Sequence, residues 1–232
     1  MGEEKRQAGG GIYWPGWLAL PFLVFGILAL GQALWDSTRH FAAIPEAVYY
    51  GFLGGILVFA FVCRFQAFYV FGHELSHWLV AKLFLRKTGS LSQMRVRETG
   101  GSILIQNPNV WITLAPYLIP FYAIPCLLLF LGWRWSLGSE FDAWALPGFQ
   151  AALGASLAYH LWMTLWVIFD DQQDLIVYGR LFSGCLIFFM NLLALYVVLH
   201  LYLGDFLAAA ECLGRISLAQ LQGWTAWVLG LW

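Results

Sequence analysis

The sequence predicts an all-α polytopic membrane protein, with about five to six transmembrane helices and a short β-hairpin. Of its 232 residues, 61% are hydrophobic and only 11% are charged, whereas a soluble domain has about 25% charged residues. Mean hydropathy is +0.71, and several apolar runs reach the ~20 residues that a helix needs to cross a bilayer. The net charge of −1 gives no reason to expect nucleic acid as a partner.

The N-terminal third of the chain predicts a tail and two apolar regions. Residues 1–12 are polar and rich in glycine, and we expect a disordered cytosolic tail. The apolar run at 14–34 is predicted to be a retained membrane anchor. The next region, 47–85, has 39 residues, which at ~1.5 Å per residue exceeds a ~30 Å bilayer core. It is either one long tilted helix or two helices broken near Arg64 or Gly72.

A polar segment at 86–109 is predicted to contain a β-hairpin at about 91–106. Residues 92–97 and 101–106 have strand character, and Glu98-Thr99-Gly100-Gly101 between them is typical of a turn. The hairpin therefore follows the second apolar region directly.

The third predicted span, at 110–131, contains three prolines. Pro116, Pro120 and Pro125 each remove a backbone donor, so we expect this span to be kinked or locally unwound. Membrane helices tolerate such breaks where neighbouring groups satisfy the backbone.

The remaining apolar runs complete the predicted membrane core, which extends over residues 13–204. The runs at 149–169 and 181–203 are predicted to be the fourth and fifth spans. Residues 205–232 mix apolar and polar side chains, which favours an interfacial helix or a partial sixth span.

The distribution of basic residues predicts the orientation of the chain. With a cytosolic N-terminus and five crossings, eight basic residues fall on the cytosolic side and three on the outer side. The eight are Lys5, Arg6, Lys82, Arg86, Lys87, Arg95, Arg97 and Arg180, and the three are Arg39, Arg134 and Arg215. Because cytosolic loops carry an excess of Lys and Arg, we predict this orientation.

The segment His-Glu-Leu-Ser-His at 73–77 carries the strongest chemical signal in the chain. Positions i and i+4 lie on one face of a helix, so His73 and His77 can hold one metal ion. Zinc lowers the pKa of its bound water, and Glu74 beside the open metal position can take that proton. Ionisable residues inside a membrane are costly, which favours a functional role for all three.

A catalytic zinc ion usually has three protein ligands, so one ligand must come from elsewhere. The acidic segment at 169–175 follows the fourth predicted span and contains Asp170, Asp171 and Asp174. In the predicted orientation this segment and the HExxH motif lie on the same cytosolic side. The sequence therefore points to this segment for the third ligand.

These features resemble the site-2 protease family of intramembrane zinc metalloproteases, and in particular its small bacterial branch. In that branch a segment of the type Gln-x-Asp-Leu-x-x-Tyr-Gly-x-x-Phe-Ser follows the fourth span. Here residues 172–183 read Gln-Gln-Asp-Leu-Ile-Val-Tyr-Gly-Arg-Leu-Phe-Ser. The resemblance covers about 68–191. Many members carry Asn-Pro-Asp-Gly or Leu-Asp-Gly around the third ligand, and this chain has neither.

The resemblance implies a role for each matching residue. His73 and His77 would bind Zn²⁺, Glu74 would be the general base, and Asp174 would be the third ligand, with Asp171 as the alternative. It also implies a bacterial inner membrane location. The expected function is a zinc-dependent intramembrane endopeptidase that cleaves membrane-embedded or membrane-proximal protein segments near the cytosolic face.

The hairpin offers a way to bind a transmembrane protein substrate. Peptide bonds in a helix are shielded, so a protease acting in a membrane must unwind its substrate, and an exposed strand edge can capture the extended chain. We expect the edge to include Gly101, Ser102, Ile103 and Leu104, with Asn109 as a further substrate-binding residue. Gating is expected from the membrane core or from a regulatory membrane partner.

A second hypothesis belongs to a different class of protein. The chain would then be a non-catalytic membrane scaffold or partner-binding subunit with a protease-like fold. The intact Glu74 favours the enzyme, since a purely structural zinc site needs no base.

Overall fold

A computed structural model describes most of the chain. The described residues are 13–37, 44–62, 65–98, 100–137, 145–169 and 172–230. The predicted tail at 1–12 lies outside them. Within the described residues the chain forms nine α-helices and one two-stranded sheet, which confirms the predicted all-α class and the predicted β-hairpin. Three helices are long and apolar enough to cross a membrane, or five spans result if each of two bent helix pairs counts as one.

The helices are numbered in chain order, and the hairpin lies between the third and the fourth. They are α1 (Trp14–Ser37), α2 (Glu46–Phe61), α3 (Gln66–Leu83), α4 (Val110–Leu118), α5 (Ala123–Leu137), α6 (Ala145–Phe169), α7 (Gln173–Val177), α8 (Arg180–Leu203) and α9 (Phe206–Leu229). The three candidate spans are α1, α6 and α8.

The apolar region at 47–85 is broken into two helices. The axes of α2 and α3 differ by 112°, and Phe65 precedes α3 in the left-handed backbone region at φ 46°. The prediction of two helices with a break near Arg64 is therefore confirmed, and the predictions of one long helix and of a break near Gly72 are wrong. Gly72 lies inside α3, where the absence of a Cβ lets the Tyr122 ring approach.

The predicted unwinding of the third span is confirmed. α4 and α5 meet at an angle of 68°, and the break between them contains Pro120. Pro116 is accommodated within α4. Pro125 lies in the first turn of α5, where its missing N–H removes no helical hydrogen bond.

The hairpin is present but shorter than predicted. Strand β1 (Arg95–Arg97) pairs antiparallel with β2 (Gly100–Ser102). The predicted strands at 92–97 and 101–106 were too long, and Gly100 and Gly101 belong to β2 rather than to the turn.

Local hydrogen bonds explain why β1 does not begin earlier. The Ser90 and Gln93 side chains form a capping box around a 3-10 turn at Leu91–Gln93, and such side chains compete with strand pairing. Pairing resumes at the base of the hairpin, where Thr88 bridges Ile105.

A buried cluster of apolar side chains joins α4, α6, α7 and α8. Its members are Leu114, Tyr117, Leu118, Val167, Leu175, Leu186 and Ile187. Because Leu175 belongs to this cluster, the short helix α7 is held against the larger helices. This core fixes the position of residue 174 relative to α4.

The C-terminal segment forms one long helix, α9. Ala209 and Ile216 of α9 pack with α1 and α8 in a second buried cluster. α9 also carries Glu211 and Arg215, whose side chains lie 3.9 Å apart, and it is not among the candidate spans. The prediction of an interfacial or partial membrane helix stays a prediction.

Candidate metal centre

Helix α3 brings the two motif histidines together, as its period requires. The Nε2 atoms of His73 and His77 lie 3.1 Å apart. His77 Nδ1 lies 2.7 Å from the carbonyl oxygen of Ile112 in α4. A carbonyl can only accept, so Nδ1 donates and the Nε2 of a neutral ring carries the lone pair that a metal needs.

The first turn of α4 is itself fixed by a cap. Asn109 is the N-cap residue, and its side-chain oxygen accepts from the Ile112 amide at 2.9 Å. The predicted substrate-binding residue Asn109 therefore has a structural role, and it orders the residue whose carbonyl orients His77. A role in substrate binding stays a prediction.

Helix α7 supplies the third group. Asp174 Oδ2 lies 3.6 Å from His73 Nε2 and 3.5 Å from His77 Nε2. The Ser183 hydroxyl, fully buried in α8, donates to the Leu175 carbonyl at 3.1 Å and ties α7 to α8. The alternative ligand Asp171 lies outside the described residues.

The three donor atoms have the spacing of a metal site. All three lie within 4.8 Å of one another, and the separations are 3.1, 3.5 and 3.6 Å. Tetrahedral zinc with bonds of ~2.0–2.1 Å places its ligand atoms about 3.3–3.4 Å apart. In the described part of the chain no other three His, Cys, Asp or Glu side chains meet this condition. The residues therefore fit a zinc ion.

The charge of Asp174 also suits a cation. Burial opposes its ionisation, but the neighbouring imidazoles of His73 and His77 outweigh burial and hold the pKa of the Asp174 carboxyl well below its usual range. The group is an acceptor with a negative charge, which a hard or borderline metal ion prefers.

Two tyrosines that the HExxH motif does not include support the three groups. The Tyr117 hydroxyl donates to Asp174 Oδ2 at 3.4 Å. The Tyr69 hydroxyl lies 3.3 Å from His73 Nδ1, where it can accept the ring proton and orient Nε2. Tyr69 precedes His73 by four residues, so helical spacing could have indicated it. Nothing local distinguishes Tyr117.

Glu74 lies under the hairpin. Its exposed fraction is 7%. A Cβ at Gly101 would lie 2.6 Å from Glu74 Cγ and 2.8 Å from Oε1. Only glycine permits this approach, so β2 rests directly on the carboxylate.

The base of the hairpin is fixed to the same helix. Trp78 Nε1 donates to the Gly89 carbonyl at 3.1 Å, and the Gly89 amide donates to the Leu104 carbonyl at 2.8 Å. Of the four predicted edge residues, Gly101, Ser102 and Leu104 are exposed, and Ile103 is half-buried. The hairpin therefore follows α3 from Trp78 towards the motif.

His160 forms a hydrogen bond with Asn191 rather than with any of the three candidate ligands. Its Nε2 donates to Asn191 Oδ1 at 3.0 Å, and Asn191 Nδ2 donates to the Tyr117 carbonyl at 2.8 Å. These bonds join α6, α8 and α4, which is the structural role that buried polar groups have between packed helices.

No protein-family model, curated protein or solved structure matches this chain.

Proposed function

We propose that this protein is a zinc-dependent intramembrane endopeptidase that cleaves membrane-embedded or membrane-proximal protein segments near the cytosolic face. One observation carries the proposal. The Nε2 atoms of His73 and His77 and Oδ2 of Asp174 converge within 4.8 Å. The buried carboxylate of Glu74 lies on α3, the helix that carries both histidines. Three ligands and a neighbouring base are the composition of a catalytic rather than a structural zinc site.

The chain's own residues divide the chemistry between them. His73, His77 and Asp174 would hold Zn²⁺, which when bound polarises a carbonyl and lowers the pKa of a coordinated water. The Glu74 carboxylate would accept a proton from the attacking water and later donate it to the leaving amine. Tyr69 and the Ile112 carbonyl would keep the imidazole rings oriented through their Nδ1 atoms.

Strand β2 would present the substrate. All three of its residues are exposed, and within the described residues its only strand partner is β1. A substrate segment added to the other edge would be extended, as hydrolysis requires. Because a Cβ at Gly101 would lie only 2.8 Å from Glu74 Oε1, that strand would bring the segment against the base.

A membrane setting fits the composition of the helices. Three helices are long and apolar enough to cross a bilayer. The bent pairs α2–α3 and α4–α5 are each also long and apolar enough when the two helices of the pair are taken together. We propose a bacterial inner membrane, a cytosolic N-terminus, transmembrane protein substrates and gating by a regulatory membrane partner.

The test compares Glu74→Gln with the wild type in vesicles that contain a panel of single-span reporter proteins. We expect Glu74→Gln to keep its zinc and to lose cleavage by about 10²–10⁴-fold, the usual contribution of a general base. Glu211→Gln is the matched control, because Glu211 is exposed on α9. Equal cleavage by Glu74→Gln and the wild type contradicts the mechanism. A wild type that binds zinc but cleaves none of the reporters favours the scaffold hypothesis.

A further inference from the structure

The hairpin has a positively charged face that the proposed chemistry does not use. Arg95 and Arg97 are exposed, and Val96 between them is half-buried. Val96 pairs with Gly101, whose Cβ direction points at Glu74. Because successive strand residues face opposite sides, Arg95 and Arg97 project from the side of the hairpin that faces away from α3.

The strand beside these arginines carries almost no side chains on that side. Arg95 lies opposite Ser102, and Arg97 lies opposite Gly100. The two arginine side chains can therefore extend across β2 towards its free edge. Neighbouring strands are ~4.8 Å apart, so a strand added to that edge would lie about 10 Å from β1. An arginine together with an Asp or Glu side chain spans this distance.

Neither arginine has an acidic partner in the described part of the chain. The neighbouring charges add to the positive field, since Lys82, Arg86 and Lys87 are also exposed on the approach to the hairpin. From residue 82 to residue 106 the sequence contains one carboxylate, Glu98. A ligand for this face should therefore be negatively charged.

We propose that Arg95 and Arg97 bind acidic side chains of an extended substrate segment that pairs with β2. The site would select substrates that have Asp or Glu at alternate positions of the segment that pairs with β2. This proposal rests on the proposed function only for the identity of the bound chain as a substrate. Guanidinium groups suit the task because their planar donors match a carboxylate.

The spacing of the arginines favours a polypeptide over an anionic lipid. Arg95 and Arg97 are two residues apart, about 6.6 Å, which is the repeat of side chains on one face of a paired strand. Lipid headgroups impose no such repeat. Lipid binding at this face is therefore the rival outcome of the test.

The experiment measures peptide binding to the full-length Glu74→Gln protein in nanodiscs at low salt. The probes are fluorescent peptides in which Val alternates with Asp, with Asn or with Lys. We expect the Asp peptide to bind about tenfold more tightly than the Asn peptide. Arg95→Gln/Arg97→Gln in the same background should remove this preference, and Arg95→Glu/Arg97→Glu should transfer it to the Lys peptide. Arg215→Gln, on α9, is the charge-matched control and should leave it unchanged.

Three results overturn the proposal: equal binding of the Asp and Asn peptides, no binding of either, or a preference that survives Arg95→Gln/Arg97→Gln. If the proteins show no preference among the peptides and Arg95→Gln/Arg97→Gln binds anionic phosphatidylglycerol less well than its parent, the arginines bind lipid and the proposal is overturned. Failure of the proposed function is recognised separately. If the Asp preference is present but the wild-type protein cleaves no reporter, the acidic-segment site stands and the endopeptidase function does not.

Discussion

Two histidine–aspartate clusters lie towards opposite ends of α8, and only one of them has the form of a metal site. Near the start of α8, Asp174 meets His73 and His77. Near its end, His200 Nδ1 lies 2.8 Å from Asp205 Oδ1, and its Nε2 lies 3.2 Å from Ser37 Oγ. The helix has 24 residues, or about 36 Å at ~1.5 Å per residue.

The difference between the clusters lies in how their polar atoms are satisfied. Around His200 both ring nitrogens have a protein partner, and the Ser37 hydroxyl donates onward to the Ala33 carbonyl at 2.7 Å. At the motif, two ring nitrogens and a carboxylate oxygen face one another at 3.1–3.6 Å. A cation completes such an arrangement, whereas the His200 cluster is already complete. A histidine beside an aspartate is therefore a weak signal, and three converging acceptors are a stronger one.

The largest contrast is expected from removing each aspartate. Asp174→Ala should reduce bound zinc from about one ion per chain to near zero, because the remaining two ligands cannot hold a catalytic zinc ion tightly. Asp205→Ala should keep its zinc, since Asp205 belongs to the complete cluster. Elemental analysis of the two purified variants checks this. Equal zinc loss in both variants would remove the distinction between the clusters.

The next effect concerns the strand above the base. Gly101→Ala places a methyl group 2.6 Å from Glu74 Cγ, so the hairpin or the carboxylate must shift. A displacement of about 1 Å at a reacting group can cost about 10²-fold in rate, and we expect a loss of reporter cleavage of that order with zinc retained. Gly132→Ala, where a Cβ meets nothing within 4 Å, is the control. Unchanged cleavage in Gly101→Ala would show that β2 need not touch Glu74.

A smaller effect is expected at the supporting tyrosines. Tyr117→Phe removes the hydroxyl that donates to Asp174, and loss of such an outer hydrogen bond typically weakens metal binding about 10–100-fold. Competition with a zinc chelator measures this. Tyr196→Phe is the counterpart at the other cluster, where the hydroxyl donates to the Ala209 carbonyl, and its zinc affinity should equal that of the wild type. Equal affinities in both variants would exclude Tyr117 as a support.

The smallest effect is expected on stability alone. His200→Ala leaves Ser37 and Asp205 without their shared partner, which should cost about 1–3 kcal/mol in the free energy of unfolding. Chemical denaturation in detergent gives the value, and zinc content should stay at the wild-type level. A drop in zinc content would mean that the two ends of α8 are coupled.

The sequence predicted those parts of the site that depend on local periodicity. His73 and His77 share a face because a helix repeats every 3.6 residues, and the structure brings their Nε2 atoms together. Chain order and a family resemblance, rather than periodicity, predict Asp174. Its position also depends on Leu175 in the buried cluster and on the Ser183 hydrogen bond, which no local pattern reveals.

The features that the sequence did not predict depend on tertiary contacts. Consecutive glycines locally favour a turn, whereas Gly101 pairs with Val96 in β2, and the close approach of Glu74 requires a glycine there. Tyr117 reaches Asp174 across 57 positions of sequence. Predicting such a contact requires the packing of α4 on α7 and α8, which depends on many apolar side chains together.

Zinc analysis combined with X-ray absorption spectroscopy of the purified wild-type protein tests the central claim most directly. We predict about one zinc ion per chain, bound by two imidazoles and by oxygen ligands at ~2.0–2.2 Å. We also predict that His73→Ala/His77→Ala loses this zinc and that His200→Ala keeps it. A protein purified in the presence of zinc that contains none, or one whose zinc persists in His73→Ala/His77→Ala, contradicts the metal centre.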